Sequence, residues 1–330
     1  MIINNKRNEL QKTKVYDTYW KFACERQNIF MRKRAGEQFL TDDAILKKYK
    51  FTNTYRASDR VSQYLIKNII YQKGYNEHDT IFRILLFKTF NKIETWKKLE
   101  EELGSINFQS FDEKLYKKIL NKYYEKGERL YSGAYIMASG KETFGQERKF
   151  MNHIMLIKYM MEDQVVNKIV HCKNLEELYM TLLSYPTIGS FLAYQYAIDI
   201  NYSEIVNFDE MEFVVAGPGA KAGIRKCFSN SEEYSNEYII RYMCERQQEE
   251  FKRLNLNFLN LWGRNLQLID CQNIFCETDK YSRVKYPDIM DCNGRKRIKQ
   301  RYRMNEKKIE YFYPPKWGIN EKMGEDYGDK

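Results

Sequence analysis

Asp199 stands in an otherwise apolar stretch, between Ala197-Ile198 and Ile200, and a carboxylate in such surroundings must find a cation, with arginine the expected partner. Structural pairing and catalysis are equally open for it. Upstream, the short turn Pro186-Thr187-Ile188-Gly189 joins two helical apolar patterns. Such a turn exposes the first backbone N–H groups of the following helix, and those groups suit a phosphate. Farther on, Asp270, Asn273, Glu277 and Lys280 recur at steps of three, four and three, so they share one helix face while Leu268, Ile274 and Phe275 take another. That polar face either lines a pocket for an extruded base or closes the helix against its neighbours by hydrogen bonds. Arg26, Arg32 and Arg56 lie in segments rich in aromatics, where their planar guanidinium groups would grip phosphate oxygens or else form ion pairs on solvated helices. Gly217-Pro-Gly219-Ala-Lys221-Ala-Gly223 offers an anion nest or a plain loop–helix junction. The run Arg295, Lys296, Arg297, Lys299, Arg301, Arg303 offers a basic surface for a duplex.

The elements that must position these residues are helices. Leu, Ile, Lys and Glu dominate long periodic stretches, and only five prolines interrupt them. The periodicity predicts helices over 15–35, from about 44 with Thr41 as its cap, and over 57–72, 79–103, 111–126, 146–164, 174–184, 190–200, 233–255 and 256–282. Gly104 and Gly127 would end two of them. Residues 131–140 are small and read as a close-packed turn or a short strand. The expectation is a mainly α, two-lobed fold. Its parts are an N-terminal helical lobe (1–125), a lobe containing the hairpin (126–232), and C-terminal helices with a basic tail (233–330) packing back on the N-terminal lobe.

The chain has 330 residues, enough for one large core or two lobes. Its net charge of +10, from 55 basic and 45 acidic residues, favours a polyanionic partner. Seven irregularly spaced cysteines suit a reducing compartment, and with only three histidines no metal centre is expected. A polar N-terminus and the lack of any membrane-length apolar run predict no membrane association and an intracellular, cytoplasmic or nucleoid-associated protein, nuclear if eukaryotic.

One family resemblance draws these residues together. Trp20, Phe22, Glu25-Arg26, Ile29, Arg32, Gly36, Asp42, Leu46, Phe51, Asn53, Arg56 and Asp59-Arg60 look like the opening signature of the 5-hydroxymethyluracil DNA kinase helical domain family, related to the α-glutamyl/putrescinyl thymine pyrophosphorylases. The likeness continues through Phe82–Asn91, Glu94, Trp96, Ala134-Tyr-Ile-Met137, Phe191–Gln195, Asp199, Phe213–Ala220, Asp270–Glu277 and Asp279-Lys-Tyr281. The hairpin also resembles the Leu-Pro-x-(Ile/Val)-Gly turn of helix-hairpin-helix DNA glycosylases, whose catalytic aspartate stands twenty residues after the last glycine; here that position is Asp209. These resemblances imply a helical fold of glycosylase ancestry that binds double-stranded DNA and handles a modified pyrimidine. Gln195 joins Asp270, Asn273, Glu277 and Lys280 as a candidate for the base pocket, with lobes clamping the DNA and Pro186–Gly189 on its phosphates.

The reaction stays open among three readings. Transfer of a phosphoryl or other group to the 5-substituent would need ATP or another donor, yet no cofactor site is recognisable. The closest string to a phosphate loop, Gly133-Ala-Tyr-Ile-Met-Ala-Ser-Gly140-Lys141-Glu142-Thr143, has two residues too many between its glycines and Glu after the lysine. A monofunctional glycosylase would use Asp209 beside the sugar, although Asp209 also suits a cap of the segment from Glu210; Phe191, where lyases carry lysine, disfavours lyase chemistry. A catalytically silent DNA-binding module would instead recruit a P-loop kinase or other modification enzymes.

Overall fold

In the computed structural model the described residues, 9–289, 294, 295, 297–303 and 309–324, form helices joined by turns, with three isolated β-bridges. Helix α1 (Lys14–Ala35) is capped by the Thr13 hydroxyl and ends at left-handed Gly36, and it buries Tyr16, Tyr19, Trp20, Ala23 and Phe30. For α2 (Ala44–Lys48) the cap is Asp43, which accepts from Ile45 and Leu46 N–H, while Thr41 accepts from Asp43 N–H. The expected Thr41 cap fails because only the residue adjoining the helix reaches its first free amides.

Helix α3 (Arg60–Leu65) continues into a π-helical turn, Ile66–Ile70. The helix expected over 79–103 is two, α4 (Glu77–Phe90) and α5 (Ile93–Leu103), parted by Asn91 at φ 46°. Asparagine tolerates that left-handed conformation, so apolar periodicity carries across a real break. Then come α6 (Glu113–Glu125), α7 (Lys141–Phe144), α8 (Lys149–Glu162), α9 (Val165–Val170), α10 (Leu175–Leu183) and α11 (Ser190–Asn201). Residues 131–140 are irregular, neither helix nor strand. After α12 (Pro218–Cys227), the 233–255 pattern divides at Arg246 into α13 (Asn236–Glu245) and α14 (Gln247–Arg253). The last helix, α15 (Leu268–Lys285), starts twelve residues later than the expected 256. Asn255, Trp262 and Gly263 all take positive φ before it, and that turn chemistry overrides the apolar pattern.

The described residues divide into two compact units, one within 1–56 and 214–308, the other within 57–213 and 309–330. The division expected from the sequence differs: position 125 falls at the end of α6 inside the second unit, and 232 in a turn inside the first. Packing sets the units, since α12 and α15 cover the buried face of α1.

In the first unit α12 lies directly against α15. A Cβ on Gly219 would stand 2.3 Å from Cys276 Sγ and one on Gly223 2.1 Å from the Phe275 carbonyl oxygen, so glycine is what permits the approach. Lys226 Nζ meets Asp279 Oδ1 at 2.8 Å, both side chains buried, and Arg283 also pairs with Asp279. The Thr13 hydroxyl donates to Lys226 O at 2.5 Å, and Tyr19 donates to Cys271 O at 3.2 Å, tying α1 to both helices.

In the second unit α4 is buried almost all round. Its Arg83 guanidinium donates to the carbonyls of Asn68, within the π-turn, at 3.1 Å and of Ile106 at 3.0 Å, and to the Gln72 side chain. Residues 309–324 belong here too: Tyr313 shares a hydrogen bond with Ser58 at 2.9 Å, and Lys316 donates to Ser203 O and Val206 O, each at 2.8 Å. Among the described residues no helix is long and apolar enough to cross a membrane, and the six described cysteines are free thiols.

Candidate functional site

Helix α11 carries Phe191, Gln195 and Asp199 at four-residue steps, hence on one face. Gln195 and Asp199 are buried, and Phe191 near the helix start is half-buried. The cation that answers Asp199 is Lys88 of α4, at 2.7 Å, where arginine was expected. Both side chains are buried, at 2% and 1% exposure. Lysine suffices because its alkyl stem crosses the apolar packing and delivers a compact charge at its tip. The signal was legible: Phe82-Arg-Ile-Leu-Leu-Phe-Lys88-Thr-Phe is a core segment with a charge that needs its opposite.

Above this pair lies Tyr135. The Lys88 ammonium is 3.9 Å from its ring centroid, and the ring stacks on Phe191 at 5.9 Å with 9° between planes. Both rings are half-exposed, so a buried ion pair sits beneath an aromatic surface that solvent reaches. Sequence reasoning placed Tyr135 in an undecided turn and gave it no role.

The loop bearing Tyr135 is held at both feet. Ser132 N–H donates to Phe90 O at 3.0 Å, and beyond the tip Lys149 donates to Met137 O at 2.8 Å and Asn152 to Ser139 O at 3.0 Å. His153 Nε2 lies 2.7 Å from Ala138 O and its Nδ1 2.8 Å from the Tyr131 hydroxyl. A carbonyl only accepts, so Nε2 carries the proton and Nδ1 accepts from Tyr131. Burial keeps the ring neutral by lowering its pKa to about 4. Tyr135 itself has φ 57°, an uncommon conformation for a bulky residue.

The hairpin joins α10 to α11 as expected, but its left-handed residue is Thr187, at φ 68°, while Gly189 has φ −79° and caps α11. Pro186 and Thr187 are half-buried, Ile188 is buried and Gly189 is exposed, with nothing within 4 Å of where a Cβ would be. Thr187 also packs toward the Tyr135 loop, its Cγ2 lying 3.1 Å from a Cβ built on Gly140. Asp209 is exposed, and its Oδ1 accepts from Met211 N–H at 2.8 Å. It caps a turn, and the helix expected from Glu210 does not form.

In the first unit the candidates hold structure. Arg26 donates to Thr52 O at 2.9 Å and Asn53 Oδ1 at 2.6 Å, and Arg32 to Leu40 O at 2.8 Å. Arg56 is 1% exposed, which removes its guanidinium from any surface a duplex would touch. Its N–H donates to Asp270 Oδ1 at 2.8 Å, and Asp270 Oδ2 takes Gln267 N–H in a capping box. Glu277 accepts from Thr52 N–H and from Lys280, both at 3.1 Å, and Lys280 also donates to Lys50 O. This polar face of α15, with half-buried Asn273 on it, therefore seals the extended segment 50–56. Gly219 and Gly223 serve helix packing, and Lys221 is exposed on α12. Arg26 also borders a pocket of about 250 Å³ with Phe39, Leu46, Lys47 and Phe51. Of the basic run, Arg295, Arg297, Lys299, Arg301 and Arg303 are exposed, and Lys296 lies outside the described residues. Among the described residues no group of three His, Cys, Asp or Glu is placed to hold a metal.

A family model described as "5-hmdU DNA kinase, helical domain" matches residues 13–291. A 5-hmdU DNA kinase of Bacillus phage SP10 is 26% identical over 288 residues, covering 81% of this chain and 45% of that protein. The chain thus spans less than half the length of that relative. No solved structure matches it.

Proposed function

The chain belongs to the family of 5-hmdU DNA kinase helical domains, and from that membership we propose that it acts in DNA base modification, at the 5-substituent of 5-hydroxymethyluracil or a related thymine. The observation that carries this reading is the buried Lys88–Asp199 pair beneath the Tyr135–Phe191 rings. The rings give a base a surface to stack on. With the Tyr135 ring swung aside, Asp199 is the group to take the proton of a 5-hydroxymethyl oxygen as that oxygen attacks the donor's terminal phosphorus and the rest of the donor leaves with the electrons of the broken P–O bond, and Lys88 offsets the negative charge that develops. Gln195, one turn from Asp199, is fully buried and would position the pair rather than touch the base. By likeness to helix-hairpin-helix turns, the backbone at Gly189 and the start of α11 contacts a phosphate of the same strand.

A second reading follows from the residues themselves. With no phosphate-loop string in these residues, they would supply DNA and base recognition while a nucleotide-binding domain or partner holds the phosphate donor.

Mass spectrometry of nucleosides and free bases, after incubating the protein with 5-hydroxymethyluracil DNA with and without ATP, separates these readings. An ATP-dependent phosphorylated nucleoside that Asp199→Asn abolishes supports the first. Product only when a nucleotide-binding partner is added supports the second. Released free base without ATP, lost in Asp209→Asn, overturns both in favour of excision.

A further inference from the structure

Ile136 is the most solvent-exposed large apolar side chain among the described residues, at 75%, against 55% for the next, Met180. Single exposed apolar residues are ordinary on protein surfaces, so exposure alone assigns nothing. What sets Ile136 apart is its mounting. The loop is pinned before the tip at Ser132 and after it at Met137, Ala138 and Ser139, by hydrogen bonds from α8 side chains and the Phe90 carbonyl. Tyr135, immediately before Ile136, has positive φ, and its ring is contacted by Lys88 and Phe191. An unfavourable backbone conformation is therefore maintained beside an apolar side chain that gains no burial from it. The same loop adjoins the hairpin through Gly140 and Thr187.

We infer that Ile136 is an apolar wedge that enters the base stack of duplex DNA beside the nucleotide to be modified, filling the space that nucleotide vacates while its base stacks against the exposed Tyr135–Phe191 rings. A 5-substituent inside a duplex is out of reach of a buried ion pair, and apolar side chains driven between base steps are a general means of unstacking them. Ile136 supplies bulk without a polar group to desolvate, and the anchored loop supplies the rigidity a wedge requires. The inference rests on the reading of the chain as a DNA-base modification protein.

The test uses the full chain and a duplex in which 2-aminopurine, fluorescent when unstacked, neighbours a single 5-hydroxymethyluracil. Wild-type protein should bind and raise the fluorescence. Ile136→Ala should keep its thermal unfolding midpoint and bind within about threefold of wild type, because phosphate contacts dominate affinity, yet lose most of the rise; Ile136→Leu should restore it. An undiminished rise with Ile136→Ala, or binding by wild type without any rise, overturns the wedge and leaves the DNA reading standing. No binding by wild type to any duplex overturns both.

Discussion

Among the described residues two lysine–aspartate pairs are buried, Lys226–Asp279 at 2.8 Å in the first unit and Lys88–Asp199 at 2.7 Å in the second, and they are covered in different ways. Asp279 is shared by Lys226 and Arg283, and both helices carrying the pair are pressed together at Gly219 and Gly223. It is sealed by backbone. Lys88–Asp199 lies instead under a half-exposed tyrosine ring mounted on an irregular loop. A buried pair is weak proof of either stability or function; the cover over it is what separates the two.

The comparison can be broken most forcefully at Asp279. Asp279→Ala leaves Lys226 buried without its carboxylate, and a chemical-denaturation series should show a loss of about 3–5 kcal/mol. Replacing the whole network, Lys226→Met, Asp279→Leu and Arg283→Met, should recover most of it. The matching change in the second unit, Lys88→Met with Asp199→Leu, should likewise preserve folding but lower base modification at least about 100-fold, equivalent to roughly 2.7 kcal/mol of barrier. Modification at wild-type rates in that variant would make the two pairs alike.

Glycines sharpen the contrast. Gly219→Ala should cost about 1–3 kcal/mol by overpacking against Cys276. Gly189→Ser should change stability by less than about 0.5 kcal/mol, serine being a good N-cap, while weakening DNA binding in a titration.

A pH-dependent effect of intermediate size concerns His153. Its folded pKa of about 4 lies below the ordinary 6.5, so the unfolded chain binds more protons between those values and stability falls as pH drops through that window. Between pH 7 and 5.5 the loss should be about 1.2 kcal/mol, and His153→Gln should remove it from a pH series of unfolding midpoints.

Much of this was legible in the sequence, and what was not has identifiable causes. The aromatic spacing of α1, the glycine end of α5 and the hairpin between α10 and α11 are local, and local chemistry decides them. Asp199 was legible as a charge needing a partner, but Lys88 lies 111 positions away and only the packing of α4 on α11 joins them. Asp270 and Glu277 were read correctly as sharing a face; what that face meets, the backbone of 50–56, depends on a segment with no periodicity of its own. Tyr135 stood within the family string Ala134–Met137 but was given no role, because positive φ at a tyrosine has no sequence signature.

The tie between Thr13 and Lys226 has a consequence for how the protein is made. The apolar face of α1 leaves the ribosome long before the helices that cover it, with 213 positions separating those two residues. At about 5–20 residues per second, that face waits roughly 10–40 s for its cover. Residues 57–213 emerge during the wait and form a unit that, apart from 309–324, holds its own contacts. Trp20, Tyr19 and Phe22 thus stay uncovered in every newly made copy until α12 and α15 follow, and slow synthesis between residues 57 and 213 would lengthen that exposure.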